Sequence, residues 1–314
     1  MSTTETAQAP RRRRFHRSEP LGPMQLTARD LILVRNVRHH RFISSSQLVK
    51  LDGGNESNVL ARLRKLFDHG YLERPPAQLS SVPIIGNQPL VYGLSAKGAR
   101  LLRQHGLRVS NTDWTEKAKR AGAVFIDHTL AVTNFMVELE LACGRTRGIT
   151  IIRDHAILGA APADTQLARE PLRWITHGTV NGMHEILSVI PDGMFGLRFA
   201  DDTGTFFLLE IDRGTIPIAR SGASHRSITR KLTAYIEGWR AGRPLKQFGL
   251  KNLRVMFVTS SQARMEHMLN AVDSITQGKG SGFLLFADAP TLAQQDPLTF
   301  SWTTGRRELV RLAD

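Results

Sequence analysis

The chain has 314 residues, enough for two domains, and its 42 Lys and Arg against 28 Asp and Glu give a formal net charge of +14. The excess is uneven: residues 1–110 hold 18 basic and 7 acidic side chains, the rest 24 and 21, so a module that meets a polyanion is joined to a near-neutral one with a different task. A run of about 18 apolar residues is missing, RRRRFHR at 11–17 leads into no apolar segment, and the single Cys143 can form no internal disulfide; no membrane span, no secretory signal and a cytoplasmic location are expected.

Residues 1–23 are polar and rich in Pro and Arg, and are expected to be a disordered basic arm that can lie along phosphates or in a minor groove. From Thr27, a plausible cap, TARDLILVRNVRHH sets Leu31, Val34 and Val37 along one side of a helix. SSQLVKL is a second, short helix closed by Asp-Gly-Gly at 52–54. Asn55 caps a third over 56–69, whose apolar residues are Val59, Leu60, Leu63, Leu66 and Phe67. Asn58, Arg62 and Lys65 fall on its opposite side. YLERP reads as one strand and LVYGLSAKG as a second that runs into a helix over 96–105. Three helices followed by two strands resemble a winged helix-turn-helix, here expected over 24–108. That resemblance implies that helix 56–69 enters the major groove and that Asn58, Arg62 and Lys65 reach bases or phosphates of double-stranded DNA. Residues 75–96 hold no charged side chain, and Val82, Ile84 and Ile85 near the tip suit a protein contact such as a homodimer better than a phosphate.

Residues 109–121 read as a linker before a helix over about 122–143, apolar on nearly every side, with Asp127, Asn134 and Glu138 as a polar stripe that needs partners. His155, His177 and His184 show no zinc spacing, and 144–183 says little else. In 184–213 the apolar runs ILSVI, MFGLRF and TFFLLEI are parted by Pro-Asp-Gly and Asp-Asp-Thr-Gly, the pattern of a three-stranded meander. RSITRKLTAYIEGWRAG at 226–242 is an amphipathic helix with Ile228, Leu232, Tyr235 and Trp239 inward and Lys231 at the stripe's edge. A buried strand at 252–260, a helix and a strand at 282–288 follow.

Helix, meander, helix, strand resembles the connectivity of the restriction-endonuclease-like fold, and Asp192 with Glu210 resembles its PD-(D/E)xK motif. The expected fold class is therefore α/β (α+β): a winged helix-turn-helix, then a restriction-endonuclease-like core with a mixed central sheet over 122–314. The resemblance implies Asp192 and Glu210 as ligands of Mg²⁺, with Glu138 added from the buried helix. The lysine slot two after Glu210 holds Asp212, and Arg213 is a poor substitute because it stays charged, so Lys231 is the candidate ammonium. The pieces LEIDRGT and KLTAYIEGW, together with the winged helix, are similar to the replication-relaxation family of plasmid-associated proteins over roughly 25–260. That likeness implies DNA binding in replication or mobilisation, with relaxase or replication proteins as partners, and a second domain that is degenerate or conditionally active. A working metal-dependent nuclease using Asp192, Glu210 and Lys231 is the alternative, and a winged-helix transcriptional regulator another. The plain alternative makes Asp192 a turn residue and puts Glu210 and Asp212 on a solvent edge.

Overall fold

The computed structural model describes residues 14–19, 22–81, 88–107, 109, 113–180, 182–215 and 227–313, which form two compact units, Met1–Asn134 and Phe135–Asp314. In the first, helix α1 (Ala28–His40) leads through strand β1 (Phe42–Ser44) to α2 (Ser45–Asp52) and α3 (Glu56–Asp68). Strands β2 (Leu72–Glu73) and β3 (Val91–Leu94) follow, then α4 (Ala96–Gln104) and α5 (Trp114–Arg120). The strands make one antiparallel sheet in the order β1-β3-β2, the winged-helix arrangement.

Local chemistry sets these elements. Thr27 and Asp30 form a capping box on α1, and Ser44 and Gln47 form one on α2. Gly53, in the left-handed region, ends α2, and Asn55 caps α3 one short turn later. Leu33, Val34, Val37, Val59, Leu63 and Leu66 are fully buried between the helices. The inward face of α1 is thus Leu33, Val34 and Val37 instead of Leu31, Val34 and Val37, because Asp30 takes the position one turn earlier. Leu60, expected in the stripe of α3, is 38% exposed.

Within the expected arm, Arg17 and Ser18 lie against the end of α3. The stretch read as a linker holds α5, which packs on β2, β3 and α4, so it belongs to the winged-helix unit. β1 was hidden in sequence because its three residues run straight into the serine cluster that caps α2. Val82, Ile84 and Ile85 lie outside the described residues.

Helix α6 (Ala123–Arg145) crosses the boundary between the units. It is partly buried, with Val124 77% exposed, so the expectation of a helix buried all round fails. In the second unit β4 (Thr150–Arg153) is followed by two short helices, α7 (Asp154–Gly159) and α8 (Ala163–Leu167). Then come β5 (Trp174–Val180), β6 (Met183–Val189), β7 (Gly193–Arg198), β8 (Gly204–Asp212) and α9 (Ile228–Arg240). β9 (Leu253–Thr259), α10 (Gln262–Thr276), β10 (Leu284–Asp288), β11 (Trp302–Thr304) and β12 (Leu309–Val310) complete it. Seven strands form a mixed sheet in the order β12-β11-β10-β9-β8-β7-β4. β7 is antiparallel to β4 and β8, while β8, β9 and β10 run parallel.

In chain order α6, the antiparallel strands β4, β7 and β8, then α9 and β9, which runs parallel to β8, give the helix, three strands, helix and strand that were expected. The membership of the meander is corrected. ILSVI is not its first strand: it lies in β6, which pairs with β5 in a separate two-stranded sheet, and β4 takes the place beside β7. The hairpin β5-β6 covers α9, with Trp174 donating its indole N–H to the carbonyl of Ala234 at 3.0 Å. A Cβ on Gly238 would sit 1.9 Å from that indole, so only glycine admits the tryptophan. Gly238→Ala is expected to cost about 1–3 kcal/mol of stability by overpacking; a denaturant midpoint equal to that of the wild type would refute this account of the hairpin's seat.

Candidate functional site

The first unit offers the exposed face of α3. Ser57, Asn58, Ala61 and Lys65 share it, at the spacing of successive turns, and all are exposed. Arg62, expected beside them, is used differently. Its guanidinium makes two hydrogen bonds to the carboxylate of Asp30, one of 2.8 Å from Nε, and a third of 3.3 Å to the carbonyl of Gln25. Asp30 is fully buried and its carboxylate also accepts from the backbone and hydroxyl of Thr27. Burial works to raise its pKa, but the bonds from Arg62 and Thr27 outweigh that and hold it below the usual range. Arg62 therefore pins α3 to the start of α1 and is not a base reader in this arrangement, because moving it would strand a buried carboxylate.

Sequence reasoning missed the seat of the arm at the other end of α3. Arg17 donates to the carbonyls of Phe67 and Leu72 and to Glu73. Arg64 reaches the hydroxyl of Ser18 at 2.9 Å, and the backbone N–H of Ser18 donates to Asp68 at 3.0 Å. Arg17, Arg64 and Arg74 lie 4.6, 5.7 and 4.1 Å from the centre of the Phe67 ring. Cations at a helix C-terminus also meet its negative dipole end. Beyond the Arg-rich composition, nothing periodic in 14–19 signals this contact.

In the second unit, β8 places Glu210 and Asp212 on one face of the sheet by simple alternation. The β7–β8 register opposes Gly193 to Leu209, so Asp192 lies alongside, and its carboxylate accepts the backbone N–H of Ile211 at 2.8 Å. On α9, Lys231 and Tyr235 are one turn apart and both reach Glu210. The ammonium lies 2.5 Å from Oε2, and the phenol donates to Oε1 at 2.6 Å. Asp192, Glu210 and Lys231 thus lie close together. Glu210, 2% exposed, is no solvent-edge acid.

Burial is the main force on this cluster. It pushes Glu210 up, with Lys231 opposing and Asp192 adding to the rise. Burial also works to lower Lys231, but Glu210 and Asp192 more than reverse that and hold the ammonium charged. The Tyr235 phenol is raised well above its ordinary value by burial and then by Glu210, so it stays a donor. Asp212 adds no unbalanced charge, since Arg264 from the first turn of α10 grips both its oxygens. Arg213 is exposed.

Glu138 does not join the acids. Phe135 of α6 packs on Phe195, which stacks on Phe207 of β8, so α6 covers the face that bears Phe207. Glu210, three residues on, points to the other face, under α9. Asn134, from the same predicted stripe, is exposed. Among the described residues no group of three His, Cys, Asp or Glu side chains is arranged for a metal ion. Both oxygens of Glu210 are already occupied by Lys231 and Tyr235. The side chains as arranged therefore do not fit a bound Mg²⁺.

The family model for replication-relaxation proteins matches residues 34–252, more than half of the chain. The chain belongs to the replication-relaxation family. Among solved structures, a MarR mutant from E. coli complexed with operator DNA matches this replication-relaxation protein at 19% identity. The match covers 36% of this chain and 74% of that one, with a TM-score of 0.22, too slight a likeness to bear on the fold. No curated protein matches. Among the described residues no helix is long and apolar enough to cross a membrane.

Of the residues around Glu210, Tyr235 is the one that sequence reasoning read only as core. Its spacing of four from Lys231 was the available signal. Lys231→Met should leave Glu210 buried without a cation and cost on the order of 3 kcal/mol near neutral pH, less than for a fully enclosed pair because Lys231 keeps 29% of its side chain exposed. With the folded pKa of Glu210 raised above the unfolded one, near 4.3, the penalty is absent below about pH 4 and grows as pH rises. The double variant Lys231→Met plus Glu210→Gln should recover most of the loss. Urea titrations across pH test this, and a loss that is independent of pH would sink it.

Proposed function

We propose that this protein binds duplex DNA through α3 of its winged helix, in the replication or mobilisation of plasmids and integrated elements. Its second unit is a nuclease-type core that is degenerate or only conditionally active. The observation that carries the first part is the exposed face of Asn58 and Lys65 on a helix that Arg62 and Asp30 hold in place, in the half of the chain with most of the excess positive charge. A helix presented in this way enters a major groove, where amides read base edges and ammonium groups meet phosphates. Relaxase or replication proteins are the partners this reading implies, with a homodimer as the natural form for a two-fold DNA site.

Support for a core that does not cleave comes from Glu210, whose oxygens are both engaged by Lys231 and Tyr235, and from Asp212 standing in the lysine slot with Arg264 as its counter-ion. One observation favours the second reading, a metal-dependent nuclease: Asp192, Glu210 and Lys231 do meet. That reading requires the cluster to open before a cation can enter.

Gel-shift titrations over a range of salt test the DNA reading. Lys65→Ala should weaken binding on all sequences and flatten the slope of log K against log salt by roughly 0.9. Asn58→Ala should cost about 1–3 kcal/mol on the preferred site and little on others. Binding unchanged in both variants at every salt concentration would overturn the assignment of α3. Nicking of supercoiled plasmid with Mg²⁺ or Mn²⁺ tests the core, with no cleavage expected. Robust cleavage by the wild type that both Glu210→Gln and Lys231→Ala abolish would replace this reading with that of a nuclease.

A further inference from the structure

The winged-helix unit contains a cavity of about 490 Å³ between α5, the start of α6 and the residue that joins α1 to β1. Its volume falls in the range of small-molecule sites. Phe42, Leu94, Ala118 and Ala121, all buried, line it, and the rings of Trp114 and Phe125 form its sides. Such a surface is too apolar to follow a phosphate backbone.

Arg41 lies at the exposed rim, and its backbone is unusual. It has φ 64° and ψ −55°, outside the left-handed helical region and near the γ-turn of positive φ, which is rare and strained. Glycine takes positive φ without that penalty. An arginine in such a position suggests that the side chain does something there. Its guanidinium stands 4.5 Å from the centre of the Phe125 ring. Among the described residues it has no acid partner.

The two acids on the rim are already engaged. Asp113 caps α5 by accepting the backbone N–H of Glu116 at 3.0 Å, and Glu116 lies 3.3 Å from Arg120. Lys117, 5.5 Å from the centre of the Trp114 ring, has no acid partner among the described residues either. An apolar floor, aromatic sides and cations that have no acid partner among the described residues are complementary to a flat apolar body carrying one negative group.

We propose that this cavity is a binding site for a small planar aromatic carboxylate, the ring held between Trp114 and Phe125 and the carboxylate taken by Arg41. The site is independent of the DNA-binding reading and of the acid–lysine cluster. It gives the winged-helix unit a ligand of its own.

Equilibrium dialysis of the full chain against naphthoate, with naphthylmethanol as the uncharged counterpart, tests the proposal. Saturable binding of one naphthoate per chain is expected, tighter than that of naphthylmethanol. Arg41→Gly should weaken naphthoate about tenfold or more, the loss of a charge-assisted hydrogen bond, while leaving naphthylmethanol unchanged. The melting temperature should not fall, because glycine fits the backbone at this position. Arg41→Asn, which also tolerates positive φ, should bind as weakly as Arg41→Gly, and Arg41→Lys should retain part of the affinity. Naphthoate bound equally well by wild type and Arg41→Gly, no preference over naphthylmethanol, or no saturable binding to the wild type would each overturn the proposal.

Discussion

The second unit is organised around a carboxylate in the wrong medium. Glu210 sits on an interior strand of a seven-stranded sheet, 2% exposed, where an uncompensated charge would be prohibitive. Its compensation comes from one neighbouring helix. Lys231 and Tyr235, a single turn apart on α9, supply an ammonium and a phenol to its two oxygens. That demand fixes the rotation and the height of α9 over β8. The same helix must then accept Trp174 at Gly238, so the hairpin β5-β6 is seated in turn. The acid, the helix and the hairpin form one chain of dependence.

Asp212 solves a similar problem by another route. It shares the face of Glu210, two residues along, yet its counter-ion comes from α10. Two acids on one strand are thus neutralised by two different helices. The arrangement ties β8 to both of its following helices, and Lys231 stands beside Asp192 as well as Glu210.

The winged-helix unit rests on a comparable device at smaller scale. Asp30 caps its own helix and at the same time holds Arg62 of α3, so one buried carboxylate sets both the start of α1 and the orientation of α3. The far end of α3 is held by the arm through Arg17, Ser18 and Phe67. Between these two clamps the outer face, with Asn58 and Lys65, stays open to solvent. Rigid presentation of a few side chains is what groove reading requires.

Much of this was legible in the sequence. Caps at Thr27, Ser44 and Asn55, the glycine after α2 and the apolar periodicity of α3 specified the helices, because capping and amphipathicity are local properties. Asp192 and Glu210 were singled out by their resemblance to the PD-(D/E)xK motif, and Lys231 because the phase of α9 leaves it at the edge of the apolar stripe. Pairing across distance could not be read in this way. Whether Arg62 faces DNA or Asp30 depends on a contact between residues 32 apart, and both positions are equally polar in sequence. ILSVI and the short run at Ile151 have the same strand character, so only packing against α9 or β7 decided which joined the main sheet. Glu138 was misplaced because a helix sequence does not say which side of a sheet the helix will cover. The sequence determined the elements and the charged groups that had to find partners; tertiary structure alone chose the partners, since the cost of burying a charge is settled only where the chain closes on itself.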